Sequence, residues 1–240
     1  MALLVDGLVN LRDLGGMPTE SGATTLPRRL VRSESPHTLT ADGLRAIVDL
    51  GIGTVVDLRT ESEREQRPSP LAEAGVRIVH APIFTDDDEY PDHLPTAGEV
   101  YCWWLRERRT GVALAMNAIA DAPSAPLLVH CHAGKDRTGV VVGMVLRLAG
   151  VSIADIADDY ALSGVHLVDM LARDRLTAVE RGMDPVRVER LFTVPRDAMV
   201  KTMECIDTEH GGVASLLRDL GLDDARIDRV RNLLLTPTWS

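Results

Sequence analysis

The segment His130-Cys131-His132-Ala133-Gly134-Lys135-Asp136-Arg137-Thr138-Gly139 sets a thiol and a guanidinium with five residues between them. A loop of that length running into a helix N-terminus turns successive main-chain N–H groups inward and makes a nest for a tetrahedral dianion. A thiol at its base sees those dipoles and the Arg137 charge, so Cys131 is expected to be a thiolate at neutral pH. Arg137 adds a planar two-pronged donor for two phosphoryl oxygens, with a charge that cannot be lost. The chemistry that fits is displacement at phosphorus. The thiolate expels the leaving group of a phosphate monoester, and nest and guanidinium hold the charge spreading over the equatorial oxygens. Water then hydrolyses a phospho-cysteine.

The other loop residues take supporting roles. Thr138 could donate its hydroxyl to the sulfur in the second step. Ala133 and Gly134 keep the loop small where main chain must approach phosphate. His132 is read as a rim residue, Lys135 as a second cation at the rim, and His130 as a partner for nearby main chain. The leaving oxygen needs a proton from a carboxyl within about 3 Å. Asp136 in the loop could supply it, as could Asp86, Asp87 or Asp88 on a separate acidic loop. A nucleotide-binding loop does not fit, because Lys135 is followed by Asp and the first glycine of that motif is missing.

The elements that must position this loop are legible around it. Apolar runs at 30–32, 54–58, 76–80 and 127–130 read as strands, those at Val55 and Leu128 too unbroken to have a wet face. Helical spacing runs from Thr40 to Leu50, and from Glu99 to Ala120 with Gly111 as a break. It resumes from Thr138 to Leu148, and Ser152 with Asp155 marks the start of another helix. Further helical stretches follow at 165–181, 196–209, 212–220 and 223–235. The expectation is an α/β fold, a parallel or mixed sheet flanked by helices with a helical C-terminal half, residues 1–240 forming a single phosphatase domain. Segment 165–192, broken at Gly182 and Pro185, is a candidate lid.

His-Cys-x5-Arg-Thr resembles the signature of the protein tyrosine phosphatase superfamily. Gly-Lys-Asp-Arg-Thr-Gly at 134–139, with Asn10-Leu11-Arg12-Asp13-Leu14-Gly15-Gly16, Arg32-Ser33, Asp57-Leu58-Arg59 and Glu63, is similar to its mycobacterial phosphatase B-like family of bacterial and fungal tyrosine/serine phosphatases. The resemblance extends over roughly the whole chain. It implies a sheet of four to five strands, no metal or other cofactor, and activity on phosphotyrosine, with phosphoserine/threonine or phosphoinositides as further substrates. The Trp-Pro-Asp triplet that carries the general acid in many superfamily members is missing, and the resemblance favours Asp136. The expected site is therefore Cys131, Arg137 and Asp136 as catalytic residues, with His132, Ala133, Gly134, Lys135 and Thr138 binding substrate.

Composition excludes other classes. With 26 basic and 36 acidic residues the net charge is −10, against broad affinity for nucleic acid or anionic membrane. No run approaches the roughly 18 apolar residues that span a bilayer. The start, Met1-Ala2-Leu3-Leu4-Val5-Asp6, has neither the basic nor the apolar region of a signal peptide. The three cysteines, Cys102, Cys131 and Cys205, form no CxxC and read as reduced thiols, Cys102 and Cys205 as packed ones. A cytoplasmic protein is expected, signal-less export staying open. Seven histidines lack ligand spacing, so no metal site is expected. Arg59 and Glu63 suggest a helix-face pair; Arg12 and Asp13 suggest an anchoring ion pair or a substrate contact. The partner is a phosphorylated protein, or, with Lys135 as an extra cation, a phosphoinositide or small phosphate ester. A phosphate-binding pseudophosphatase would be marked by loss of Cys131 or Arg137, and both are present.

Overall fold

The computed structural model describes residues 3–88, 91–122 and 126–236. Met1, Ala2 and Glu89 of the acidic run lie outside the described residues. The strands are β1 (Arg12–Asp13), β2 (Leu30–Ser33), β3 (Thr54–Asp57), β4 (Arg77–His80) and β5 (Leu127–His130), forming one sheet in the order β1-β2-β5-β3-β4. β5 runs parallel to β2 and β3 on either side, β3 runs parallel to β4, and β1 is antiparallel to β2. The mixed sheet matches the expected class, with one strand more than the four apolar runs announce. β1 is two charged residues long, so no hydrophobic alternation reveals it.

Strand side chains alternate between faces. Leu30, Val56, Leu127 and Val129 join one apolar cluster, Val31, Val55 and Leu128 another. Both faces are covered, which is why the strands carry unbroken apolar runs. The second face is closed by α1 (Ala41–Asp49) through Ile47. Thr40 caps that helix, its hydroxyl accepting from Gly43 N, and Gly51 follows it with φ 78°.

On the first face lie α3 (Ala97–Glu107), α4 (Arg109–Ala120), α5 (Asp136–Leu148), α6 (Ile153–His166), α9 (Arg196–His210), α10 (Val213–Asp219) and α11 (Asp224–Asn232). The short α2 (Glu61–Gln66) follows β3, and α7 (Val168–Glu180) and α8 (Pro185–Phe192) connect α6 to α9. α5 is buried without interruption from Arg137 to Leu146, as its all-round apolar sequence requires.

Gly111 is not the helix break expected of it. The break falls at Arg108, and Gly111 lies inside α4, where a Cβ would stand 2.1 Å from the Ile83 carbonyl oxygen. The glycine lets main chain approach main chain. Among the described residues no helix is long and apolar enough to cross a membrane.

Candidate active site

Ser33, His130 and Asp57 stand in register at the carboxyl ends of β2, β5 and β3. The Cys131–Arg137 loop leaves the sheet there, where neighbouring strands lead away to either side. That crevice is where open α/β sheets bind ligands.

The loop's main chain is fixed from outside. Carbonyl oxygens of consecutive residues each accept a hydrogen bond: His130 from Leu58 N (2.9 Å), Cys131 from His130 Nδ1 (3.0 Å) and His132 from Ser35 N (2.9 Å). Ala133 accepts from Asn10 Nδ2 (3.1 Å), Gly134 from Arg32 Nη2 (2.8 Å) and Lys135 from Gly139 N (2.7 Å). A trans peptide points its N–H away from its C=O, so carbonyls turned outward set the following N–H groups on the inner side. Among the described residues, the N–H groups of residues 132–137 meet no acceptor. Buried unpaired donors are costly, so a concave row of them is an anion site in waiting. Gly134 permits the tightest point, with φ 68° and only 2.1 Å between a built Cβ and the Ser33 carbonyl oxygen.

The N-terminal motif supplies the braces. Arg12 Nη1 donates to Asn10 Oδ1 (2.6 Å), which orients the amide so that its Nδ2 faces the loop carbonyls. Arg12 and Arg32 both donate to the buried Asp159 of α6, at 2.7 and 2.6 Å. Burial raises the Asp159 carboxyl, but the Arg32 and Arg12 charges outweigh it and hold the group below the ordinary aspartate value. Burial and the neighbouring Arg32 charge pull Arg12 down to about 10. Arg12 therefore pairs with Asp159, a long-range anchor and not the expected partner Asp13. Asp13 instead accepts from Gly15 N (2.9 Å) and Arg28 N (2.7 Å).

Arg137 is buried and gripped by Glu63, with Nη1 to Oε2 at 2.5 Å and Nη2 to Oε1 at 2.7 Å, while Nη1 also reaches the Leu58 carbonyl at 3.4 Å. A guanidinium has five N–H groups. Among the described residues, Nε–H and the second Nη2–H are left as an adjacent pair of donors on one edge. The Phe84 ring lies 4.9 Å from the guanidinium carbon. Burial raises the Glu63 carboxyl, but the hydrogen bonds and charge of Arg137 overcome it and hold Glu63 below its ordinary value. The expected Arg59–Glu63 side-chain pair is thus not made. Arg59 turns inward to Asp57 (2.7 Å) and to the Arg67 carbonyl (2.7 Å).

Asp136 opens α5, and its Oδ1 accepts from the Tyr101 hydroxyl and from Lys135 Nζ (2.8 Å). Lys135 does not stand at the rim. Its side chain is 3% exposed and its ammonium also donates to the Thr193 carbonyl (3.2 Å), because the loop's turn directs it toward the chain following α8. Asp86 accepts from the Ser62 hydroxyl (2.5 Å) and main-chain N (3.0 Å), which lowers its carboxyl from the ordinary value. Asp88 caps Thr85 N (2.6 Å) and faces Arg108 (3.4 Å), and Asp87 is exposed.

His132 is half-buried, with Arg67 Nη1 3.0 Å from its Nε2; burial and then the Arg67 charge push its ring down to about 4. It borders a cavity of about 690 Å³ lined also by His37, Arg67, Met170 and Arg173. Ala133 packs with Leu167 and Leu171, against which Met170, Phe192 and Val194 also lie, so the 165–192 segment rests on the loop. The Thr138 hydroxyl is buried with no partner among the described residues, so the expected donation to sulfur is not made in this arrangement. Cys102 and Cys205 are buried with their thiols pushed up from the ordinary value by burial. No cluster of three metal-ligating side chains occurs among the described residues.

Sequence reasoning passes over Asn10, Arg32 and Asp159 as braces and Glu63 as the partner of Arg137. The signal for Asn10, Arg32 and Glu63 lies in the stretches that carry the family resemblance, without their roles. Asp159 has no local signal.

Residues 3–236 match the model of the tyrosine phosphatase family. A tyrosine-protein phosphatase of Nostoc commune is 28% identical over 228 residues, covering 87% of this chain and 75% of that protein. The triple specificity protein phosphatase PtpB of Mycobacterium tuberculosis is 26% identical over 273 residues, covering 95% and 97% respectively.

Proposed function

The chain belongs to the tyrosine phosphatase family, and from that premise we propose that it hydrolyses phosphotyrosine in proteins with Cys131 as nucleophile, Arg137 as phosphoryl clamp and Asp136 as proton donor. The observation that supports this most is the loop whose carbonyls from His130 to Lys135 all face outward onto donors, leaving inward N–H groups beside the free edge of Arg137.

The Cys131 thiolate attacks phosphorus, forming an S–P bond as the P–O bond to the leaving group breaks. The departing oxygen takes the Asp136 proton, so a neutral tyrosine leaves. Charge on the equatorial oxygens is met by the N–H row and by Nε and Nη2 of Arg137, all aimed beforehand. Water then attacks the phospho-cysteine and gives a proton back to the Asp136 carboxylate. The S–P bond breaks, and inorganic phosphate departs from a regenerated thiolate. Ala133 and Gly134 line the nest, and His132 forms its rim. Lys135 acts on substrate only through Asp136. The orphaned Thr138 hydroxyl becomes a donor to the sulfur when the second step develops charge there.

Asp136 is favoured over Asp86 because Asp86 is committed to Ser62. The burial of Lys135 removes the rim cation that argued for substrates with several phosphates, so phosphotyrosine protein stands ahead of phosphoinositide. The cavity beside His132 would seat the polypeptide flanking the phosphotyrosine, and residues 165–192 would cover it as a lid. The three cysteines, buried and unpaired, suit the cytoplasm. Turnover on a phosphotyrosine peptide, a phosphoserine peptide and a phosphoinositide, measured side by side without metal, tests the reading. The phosphotyrosine peptide is expected to lead and vanadate to inhibit. A leading phosphoinositide would move the substrate class, and binding of phosphate without turnover would make the chain a pseudophosphatase. Hydrogen exchange across 165–192, with and without bound vanadate, tests the lid; equal protection would end it.

A further inference from the structure

Asp136 is held by a chain of buried hydroxyls that the reaction as described does not use. Tyr101 on α3 and Tyr160 on α6 are each 1% exposed, and their hydroxyl oxygens lie 2.8 Å apart. The Tyr101 hydroxyl also meets Asp136 Oδ1, the oxygen that receives Lys135 Nζ. A phenol has one proton to give. If Tyr101 gives it to Asp136, Tyr160 must donate to Tyr101, and the order Tyr160 to Tyr101 to Oδ1 is fixed. Burial, and then the Asp136 charge, push the Tyr101 hydroxyl well above the ordinary tyrosine value, which keeps it a donor.

We propose that Tyr101 and Tyr160 are positioning residues that lock Oδ1 of Asp136 as an acceptor, so that the catalytic proton is carried on Oδ2. An ammonium has three protons and no lone pair, so Lys135 at Oδ1 also disfavours a proton there. With Oδ1 tied to two donors, the carboxyl cannot rotate to exchange its oxygens, and the acid proton has one place and one direction. The last residue of the loop motif fits the same purpose. A Cβ on Gly139 would lie 2.8 Å from Tyr160 Cδ2, so glycine there is what lets the Tyr160 ring lie against the first turn of α5.

The inference rests on Asp136 being the proton donor, and the test separates the two. Tyr101→Phe, Tyr160→Phe and Asp136→Asn are compared by kcat/KM, which covers the reaction only up to departure of the leaving group, on dinitrophenyl phosphate, whose leaving group needs no proton, and on phenyl phosphate, whose leaving group does. General acid catalysis is worth about a hundredfold or more, so Asp136→Asn should lose that on phenyl phosphate and little on dinitrophenyl phosphate. Tyr101→Phe keeps the ring and removes one hydrogen bond to the acid, so it should lose severalfold, up to about tenfold, on phenyl phosphate alone. Tyr160→Phe, one step further back, should show the same selectivity at smaller size. Equal losses on both esters, or no loss, in the two tyrosine variants beside a selective Asp136→Asn would overturn the positioning role and leave the proton donor in place. An unselective Asp136→Asn would remove the proton donor itself, and the inference with it.

Discussion

Arg137 holds a permanent charge in a buried place because Glu63 answers it with both oxygens, and the same contact chooses which guanidinium edge is left for phosphate. Glu63→Gln keeps the shape but offers an amide N–H to a donor. Loss of a charge-assisted pair of this kind is worth about 1.5–3 kcal/mol, so kcat/KM for an aryl phosphate should fall at least tenfold. The KM should rise, since ground state and transition state both use that edge. Unchanged steady-state kinetics would release Glu63 from the role. The sequence makes the loop residues plain, because Cys131 and Arg137 carry their own spacing. It misreads Glu63, whose partner is 74 positions away, while Arg59 stands a tempting four residues before it. A short-range spacing can propose a pair but cannot see that Asp57 has already taken the arginine.

The elements hold the loop through a buried ion triad. Asp159 on α6 joins Arg12 of β1 and Arg32 of β2, and Arg32 and Asn10 pass that anchoring on to the loop carbonyls. Breaking a buried charge pair by removing one partner costs about 3–5 kcal/mol. Asp159→Asn should lower unfolding free energy by that order in a urea titration, with activity falling even where the protein is folded. Gly134→Ala adds a Cβ 2.1 Å from the Ser33 carbonyl at φ 68°, so it should deform the loop and remove turnover. Apolar periodicity reveals the sheet and the C-terminal helices well, because burial of both faces leaves long hydrophobic runs. It does not reveal β1, two charged residues of which Arg12 is paired across the fold to Asp159, nor the close approach for which Gly111 is needed.

Across the whole molecule, acid should unfold the chain in two stages. Burial lowers His130, and burial with the Arg67 charge takes His132 to about 4, so both stay neutral in the fold below the ordinary histidine value. The unfolded chain then binds more protons, and stability declines as pH falls from about 6.5, the free histidine value, through the folded ones. For Asp159 and Glu63, burial raises each carboxyl but the arginines facing it outweigh burial and hold it below the ordinary value. Their contribution is complete above about 4, the unfolded carboxyl range, and is lost as pH falls through the lower folded values. Glu34 has the opposite sign. Burial raises it, so its share is present below the unfolded value and is lost as pH rises through the folded one. Urea midpoints from pH 8 to 3 should be flat at first, decline below about 6.5 and drop steeply below about 4; a midpoint rising toward acid would contradict the arrangement.

The most direct measurement is mass spectrometry of the protein quenched during turnover of an aryl phosphate. One phosphoryl group is expected, on the peptide containing Cys131 and at the sulfur, absent in Cys131→Ser and accumulating in Asp136→Asn when a good leaving group is used. A protein that turns over without ever carrying phosphate on that sulfur, or that carries it on another residue, would contradict it.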